Sequence, residues 1–146
     1  MNKTYSRVIP IISMVLFAVS LTQVGYCTHQ ICRSSIDALI TGSVGFLYGG
    51  AVLTWLANPL LLTSWLLINR NISISLVTSL LAMLVSFSFF FCRNVIDNEA
   101  GQLGVIVSYK AGYWLWAAST TVMGVGNCIL YVRRHRISPT GASMEQ

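Results

Sequence analysis

The chain has 146 residues, of which 55% are hydrophobic and only 9% are charged. Soluble domains carry roughly 25% charged residues, so this composition excludes an ordinary water-soluble globular domain. The formal net charge of +5 does not indicate nucleic-acid binding, because the cations stand at the ends of apolar segments. This placement suits contact with anionic lipid headgroups instead.

Four stretches contain no Asp, Glu, Lys, Arg or His: 8–25, 38–69, 71–92 and 111–132. A bilayer core about 30 Å thick takes roughly 20 apolar residues of helix, so each stretch can span it. The sequence therefore predicts an all-α integral membrane protein with four transmembrane helices in an antiparallel bundle. We expect one domain over residues 1–136 and a disordered cytoplasmic tail over 137–146.

The basic residues divide unequally between the two sides of this topology. One side holds Lys3, Arg7, Arg70, Arg133, Arg134 and Arg136, and the other holds Arg33, Arg93 and Lys110. Because cytoplasmic loops carry the excess of Lys and Arg, both termini are predicted to be inside.

Helix 1 is predicted over residues 8–26, with Pro10 in its first turn, where a missing N–H is tolerated. Lys3 and Arg7 before an apolar run also resemble a secretory signal peptide. However, the run continues past Ser20, which favours a retained span.

The first outer loop contains Cys27 and Cys32. If it lies in an oxidising compartment, the four intervening residues permit a disulfide, which we predict to be structural. Ser34 or Ser35 is expected to cap the second helix, with Asp37 near its positive end.

Helix 2 is predicted over 37–68, which makes it about 50 Å long. Pro59, preceded by Asn58, should kink or break it near residues 55–59. Two arrangements fit: one long, tilted and kinked span, which we favour, or a helix that ends near Ala57, with the rest along the inner interface.

The remaining helices are more regular. A tight turn at 69–71 leads into helix 3 over 72–92, and helix 4 is predicted over 109–132. The outer loop between them spans 93–108. Within it, residues 103–108 are β-branched enough for a short strand or an extended return.

Small residues recur at helical spacing: Ser75, Ser79, Ala82 and Ser86 on helix 3, Gly42, Gly45 and Gly49 on helix 2, and Thr120 and Gly124 on helix 4. Because lipid supplies no hydrophobic force between helices, such residues mark close helix contacts. They indicate packing within the chain or, for the Gly45–Gly49 face, contact with a second copy or another subunit.

Two alternatives use the cysteines. Cys27, Cys32 and Cys92 resemble in outline the quinone-linked disulfide-generating membrane oxidases, which would make the chain a thiol–disulfide oxidoreductase. The spacing departs from that family, because those enzymes use CxxC and a second cysteine pair. With His29, the same cysteines would also suit zinc or copper(I), although the spacing matches no common metal site.

A third alternative is a small transporter or channel. The four stretches carry no acid or base, the residues that mark ion paths in membranes. A helix break at Asn58 and Pro59 would nevertheless expose polar backbone groups as in discontinuous transporter helices. The competing interpretation is that Asn58 bonds a neighbouring helix or the freed carbonyl of Trp55.

Two segments carry a family resemblance: Trp55-Leu56-Ala57-Asn58-Pro59, and Asn98-Glu99-Ala100-Gly101 followed by Gly112-Tyr113-Trp114-Leu115-Trp116. They resemble a group of small four-helix proteins of the bacterial inner membrane. The resemblance implies that location and no activity.

The sequence thus favours a non-enzymatic inner-membrane protein without a cofactor. Its expected partners are the bilayer and a membrane protein or a second copy. A protein partner would contact the second outer loop and the small-residue faces of helices 2 and 4.

Overall fold

The computed structural model describes residues 3–45, 50–96 and 103–137. Within these ranges the α-helices are α1 Lys3–Leu21, α2 Ser35–Gly45, α3 Ala57–Leu67, α4 Ile72–Ser88 and α5 Ala111–Ile137. The strands are β1 Val24–Thr28, β2 Cys32–Ser34, β3 Asn94–Ile96 and β4 Leu103–Tyr109. Short 3-10 helices cover Gly50–Leu56 and Phe89–Phe91.

The prediction of a mostly helical chain is confirmed, but the prediction of an all-α fold is wrong. The two predicted outer loops combine into a four-stranded antiparallel sheet in the order β2-β1-β4-β3. The strand expected over residues 103–108 is present as β4. Helix 1 was predicted to reach residue 26, yet α1 ends at Leu21 because the following β-branched and aromatic residues pair in β1.

The single kinked helix predicted over residues 37–68 is also wrong. Helix α2 ends at Gly45, a 3-10 helix precedes Ala57, and α3 begins there. Pro59 is the third residue of α3, in the first turn, where its missing N–H breaks no helical hydrogen bond. The chain therefore breaks before the proline. Residues 46–49, including Gly49, lie outside the described residues.

Helices α1, α3, α4 and α5 pack around a common interior. Helix α5 lies against both α1 and α4, and α3 lies against α4. Helix α3 also contacts α1, because the indole Nε1 of Trp65 donates to Ser13 Oγ at 3.0 Å. The Trp65 ring also meets Phe17 edge to face, with centroids 5.7 Å apart.

One end of this assembly, here called the basic end, gathers the start of α1, the 69–71 turn and the end of α5. Ser6 Oγ donates to Asn69 Oδ1 at 2.7 Å, and the Arg133 guanidinium lies 5.3 Å from the centroid of the Tyr5 ring. The sheet lies at the opposite end, where Lys110 N donates to the Gly25 carbonyl at 2.8 Å. Within the described residues, the 69–71 turn and the sheet therefore lie at opposite ends of the helices.

Candidate functional site

The helical assembly buries polar side chains beside a hydrophobic cluster that includes Leu61, Ile68 and Met123, and it exposes many apolar side chains. Its buried polar side chains are Ser6, Ser13, Ser20, Ser64, Ser75, Ser79, Ser86, Ser119, Thr120 and Asn127. Exposed apolar side chains include Ile11, Ile12, Val15, Leu62, Leu66, Val77, Leu84, Val125 and Ile129. In water-soluble proteins, Ser, Thr and Asn are mostly exposed, and Ile, Leu and Val are mostly buried.

Two helices are long and apolar enough to cross a membrane, over Ile72–Phe91 and Ala111–Arg134. Only 22% of the first is buried, so it is not the enclosed core helix of a soluble domain. Two shorter apolar helices cover Tyr5–Leu21 and Leu53–Leu67. By length and composition, two of the described helices can therefore span a bilayer.

Small residues form the contact faces. Ser75, Ser79, Ala82 and Ser86, selected from their spacing, are all fully buried on α4. The sequence interpretation missed the corresponding residues of α1, which are Ser6, Ser13 and Ser20. Their seven-residue spacing is a packing signal that a search for heptads would have found.

Two serine pairs join neighbouring helices by the same geometry. Ser13 Oγ donates to the Ser119 carbonyl at 2.9 Å, and Ser119 Oγ donates to the Ser13 carbonyl at 2.8 Å. Ser64 and Ser75 exchange bonds of 2.9 and 2.8 Å in the same reciprocal way. In both pairs the hydroxyl oxygens lie 3.1 Å apart. The pairs hold α1 to α5 and α3 to α4 at close range.

Asn127 of α5 connects the second serine pair to the rest of the interior. Its amide nitrogen lies 3.0 Å from Ser64 Oγ, 2.9 Å from Ser75 Oγ and 3.0 Å from Ser79 Oγ. Its Oδ1 is buried and has no hydrogen-bond partner among the described residues. The side chain therefore acts as a donor that ties α5 to α3 and α4.

Gly42, Thr120 and Gly124 lie against other residues of this chain. The Trp55 ring lies against Gly42, where an added Cβ would be 2.6 Å from Trp55 Cδ1. Thr120 is buried and hydrogen-bonded to Ser86 at 2.8 Å, and an added Cβ at Gly124 would meet Met83 Sδ at 3.5 Å. Gly45 ends α2, with surroundings outside the described residues.

Asn58 makes a helix-to-helix contact. Its Oδ1 accepts a 2.9 Å hydrogen bond from the Trp116 indole of α5. This contact agrees with the interpretation in which Asn58 bonds a neighbouring helix. The side-chain oxygen of Asn58 is therefore already hydrogen-bonded. Asn58, at the start of α3, is thus joined to α5.

The predicted disulfide between Cys27 and Cys32 is confirmed, and it joins directly opposite residues of β1 and β2. Thr28 organises the turn, since its Oγ1 accepts from the backbone N–H of both Gln30 and Ile31. Ser34 caps α2 as expected, because its Oγ accepts from Asp37 N at 3.2 Å. The hairpin is therefore cross-linked and joined directly to the start of α2.

Cys92 lies just beyond α4 as a free thiol. Burial raises the pKa of this thiol, which lowers the thiolate fraction at neutral pH. Rapid disulfide exchange requires the opposite shift. The Cys27–Cys32 bond also occupies two of the expected soft metal ligands. Among the described residues, no three His, Cys, Asp or Glu side chains form a group that could hold a metal ion.

Tyr109 closes the end of α4. Its hydroxyl lies 3.1 Å from the Phe89 carbonyl, 3.2 Å from that of Phe90 and 3.0 Å from that of Cys92. These groups stand at a helix end, where carbonyls lack intrahelical donors. Burial, and then repulsion from the Cys92 thiolate, raises the pKa of Tyr109.

The two faces of β4 differ in their surroundings. Ile106 packs on the inner side against an aromatic cluster built on Phe89 and Tyr113. The alternate residues Leu103, Val105 and Val107 are 67%, 50% and 56% exposed. We call these three residues the β4 stripe. On β3, Asn94 pairs with Val105 and Ile96 pairs with Leu103.

Comparison of this chain with protein-family models, with curated proteins and with solved structures finds no match.

Proposed function

We propose that this chain is a non-enzymatic protein of the bacterial inner membrane that crosses the bilayer four times and binds another protein through the β4 stripe. Both termini lie in the cytoplasm at the basic end, and the sheet lies outside. The exposed apolar stripe on the sheet is the observation that carries the proposed activity.

The exposed apolar side chains support four crossings. Exposed apolar side chains occur on α1 and α3 as well as on the two longer helices. At 1.5 Å per residue, the apolar helix Tyr5–Leu21 extends about 26 Å, a little less than the roughly 30 Å of the hydrocarbon core. Helix α3 gains length from the 3-10 helix before it, so that together they provide the remaining crossing.

Charge and redox chemistry support the orientation. The basic end carries Arg7, Arg70 and Arg133, in keeping with the excess of Lys and Arg on cytoplasmic loops. The Cys27–Cys32 disulfide belongs to the sheet end. Disulfides persist in the periplasm and on cell surfaces and are rare in the cytosol.

The sheet is an open one, with edge strands β2 and β3. Unpaired edge N–H and C=O groups are too costly in hydrocarbon, so an open sheet belongs in the headgroup or aqueous layer. In that layer, three neighbouring apolar side chains on one strand form a surface typical of protein contacts. The stripe is therefore the surface on which we place a partner.

Photo-crosslinking at single positions tests this proposal. A photoreactive amino acid at Val105 of the full chain, expressed in cells, should yield one discrete adduct with a protein. The same amino acid at Val77, an exposed position of α4, should yield none because it faces lipid.

Val107→Asp serves as the matched disruption. It puts a charge on the stripe without touching the buried side of β4, so it should abolish the Val105 adduct while the protein remains in the membrane fraction. An adduct of two copies would identify the partner as this chain itself. Equal adducts at Val77 and Val105, or a Val105 adduct that survives Val107→Asp, would contradict the proposal.

A further inference from the structure

A groove of about 460 Å³ runs between α1 and α5 toward the basic end. Tyr5 and Ile9 line it from α1, one helical turn apart, and Val125, Ile129 and Arg133 line it from α5 at the same spacing. The groove therefore follows the helix axes, as a long ligand would require.

The interior of the groove is apolar. Val125 and Ile129 are 50% and 47% exposed. Thr121, a polar residue of the lining, donates its hydroxyl hydrogen to the Ala117 carbonyl at 2.8 Å within α5. A hydrocarbon chain in the groove would thus leave no threonine donor unpaired.

The groove ends in a positive charge. The Arg133 guanidinium lies over the Tyr5 ring, 5.3 Å from its centroid. The guanidinium is a planar fork of N–H donors, and that fork matches a phosphate. Tyr5 therefore positions Arg133 at the mouth of the groove.

Within the described ranges, no acidic side chain lies near this charge. The acidic residue among those that the structure describes is Asp37, and it belongs to the sheet end. Arg7 and Arg70 are exposed at the basic end with Arg133. An anionic ligand would therefore complement the charge of this surface.

From the apolar groove and its terminal arginine, we infer a binding site for one anionic phospholipid. One acyl chain lies between α1 and α5, and the phosphate accepts hydrogen bonds from Arg133. Clefts between membrane helices with a basic mouth on the cytoplasmic side suit such headgroups. The inference rests on the proposed membrane location but not on the proposed partner of the β4 stripe.

Native mass spectrometry of the full chain purified in detergent tests the site. Phosphatidylglycerol should bind in preference to phosphatidylcholine with the same acyl chains. Arg133→Gln should weaken phosphatidylglycerol binding about fivefold, since one basic residue near an anionic surface is worth about 1 kcal/mol. Val125→Trp should weaken it as well by filling the groove from an exposed position.

Arg70→Gln is the matched control, because Arg70 is an exposed cation at the same end outside the groove. Its binding should stay within about twofold of the parent chain. Equal losses for Arg70→Gln and Arg133→Gln would overturn the inference, as would equal binding of the two lipids. Inorganic phosphate that binds the chain as tightly as the lipid would reduce the site to an anion site and overturn it too.

The outcome separates this site from the proposed function. Loss of lipid selectivity with an intact Val105 adduct removes only the phospholipid site. Conversely, loss of the Val105 adduct with intact selectivity removes only the partner surface.

Discussion

Ser13 of α1 and Ser119 of α5 each donate to the other's backbone carbonyl oxygen, at 2.9 and 2.8 Å, and both side chains are fully buried. Ser13 Oγ also accepts from the Trp65 indole at 3.0 Å. One hydroxyl therefore joins three helices, in an interior held together by hydrogen bonds and close backbone approach.

The first prediction concerns this hydroxyl. Ser13→Ala removes its bond to Ser119 and leaves the Trp65 N–H without an acceptor, so unfolding should become easier by about 1–2 kcal/mol. Thermal unfolding in detergent micelles measures the change.

Ser88→Ala is the control for this prediction. Ser88 is exposed and bonds only the Val85 carbonyl of its own helix, so the change should stay below about 0.5 kcal/mol. A Ser13→Ala variant as stable as Ser88→Ala would contradict the role given to the serine pair.

The second prediction concerns Asn127. Asn127→Asp keeps the shape of the side chain but removes its two amide hydrogens, which face the hydroxyls of Ser64, Ser75 and Ser79, and it buries a charge without a partner. We expect a loss of about 3 kcal/mol or more, measured as reduced thermal stability of the purified chain.

Gln23→Glu makes the same chemical change at an exposed amide. It should alter stability by less than about 0.5 kcal/mol. Similar effects at the two positions would show that Asn127 does not organise the interior as we describe.

The third prediction concerns the junction of the sheet with α5. A Cβ on Gly112 would lie 2.7 Å from the Val24 carbonyl oxygen, a backbone atom of β1 that cannot move alone. Gly112→Ala should therefore cost roughly 1–3 kcal/mol through overpacking. Gly124→Ala on the same helix meets ordinary contacts beginning at 3.5 Å and should be tolerated. A reversed order of the two melting temperatures would contradict this account.

The fourth prediction concerns pH. Burial raises the pKa of the Cys92 thiol, so its thiolate forms at higher pH than that of an ordinary cysteine. Alkylation by iodoacetamide in a Cys128→Ser chain should therefore be slow at pH 8 and rise toward higher pH. The same chain unfolded in detergent should react at lower pH. A folded chain whose reaction rate rises at the lower pH would restore Cys92 as a candidate for disulfide exchange.

Much of the helical structure could be predicted from the apolar runs. Charge-free stretches define α4 and α5 within a few residues, and β-branched residues revealed β4. The rest of the sheet was missed because β1 continues an apolar run, and hydrophobicity alone does not separate the end of a helix from a strand that follows it. Its partner β4 is about 80 residues away in sequence, and local patterns do not encode such pairing.

The interruption of the second helix was only partly predicted. Pro59 indicated a kink or break near residues 55–59, where α3 begins, but α2 already ends at Gly45. Pro59 itself lies in the first turn of α3, where a proline is compatible with the helix it begins. The residues that form the helix contacts could be predicted only in part. The seam of α4 appeared in the sequence as spaced small residues, whereas the Ser64 contact depends on which helices become neighbours.

The most direct test of the account is the side of the membrane on which each end lies. Single cysteines at Arg70 and Lys110, both exposed, would be labelled in intact cells with a membrane-impermeant maleimide, with Cys92 and Cys128 replaced by serine. The account predicts that Lys110→Cys is labelled in intact cells and Arg70→Cys only after permeabilisation. Labelling of both residues from the same side would contradict it.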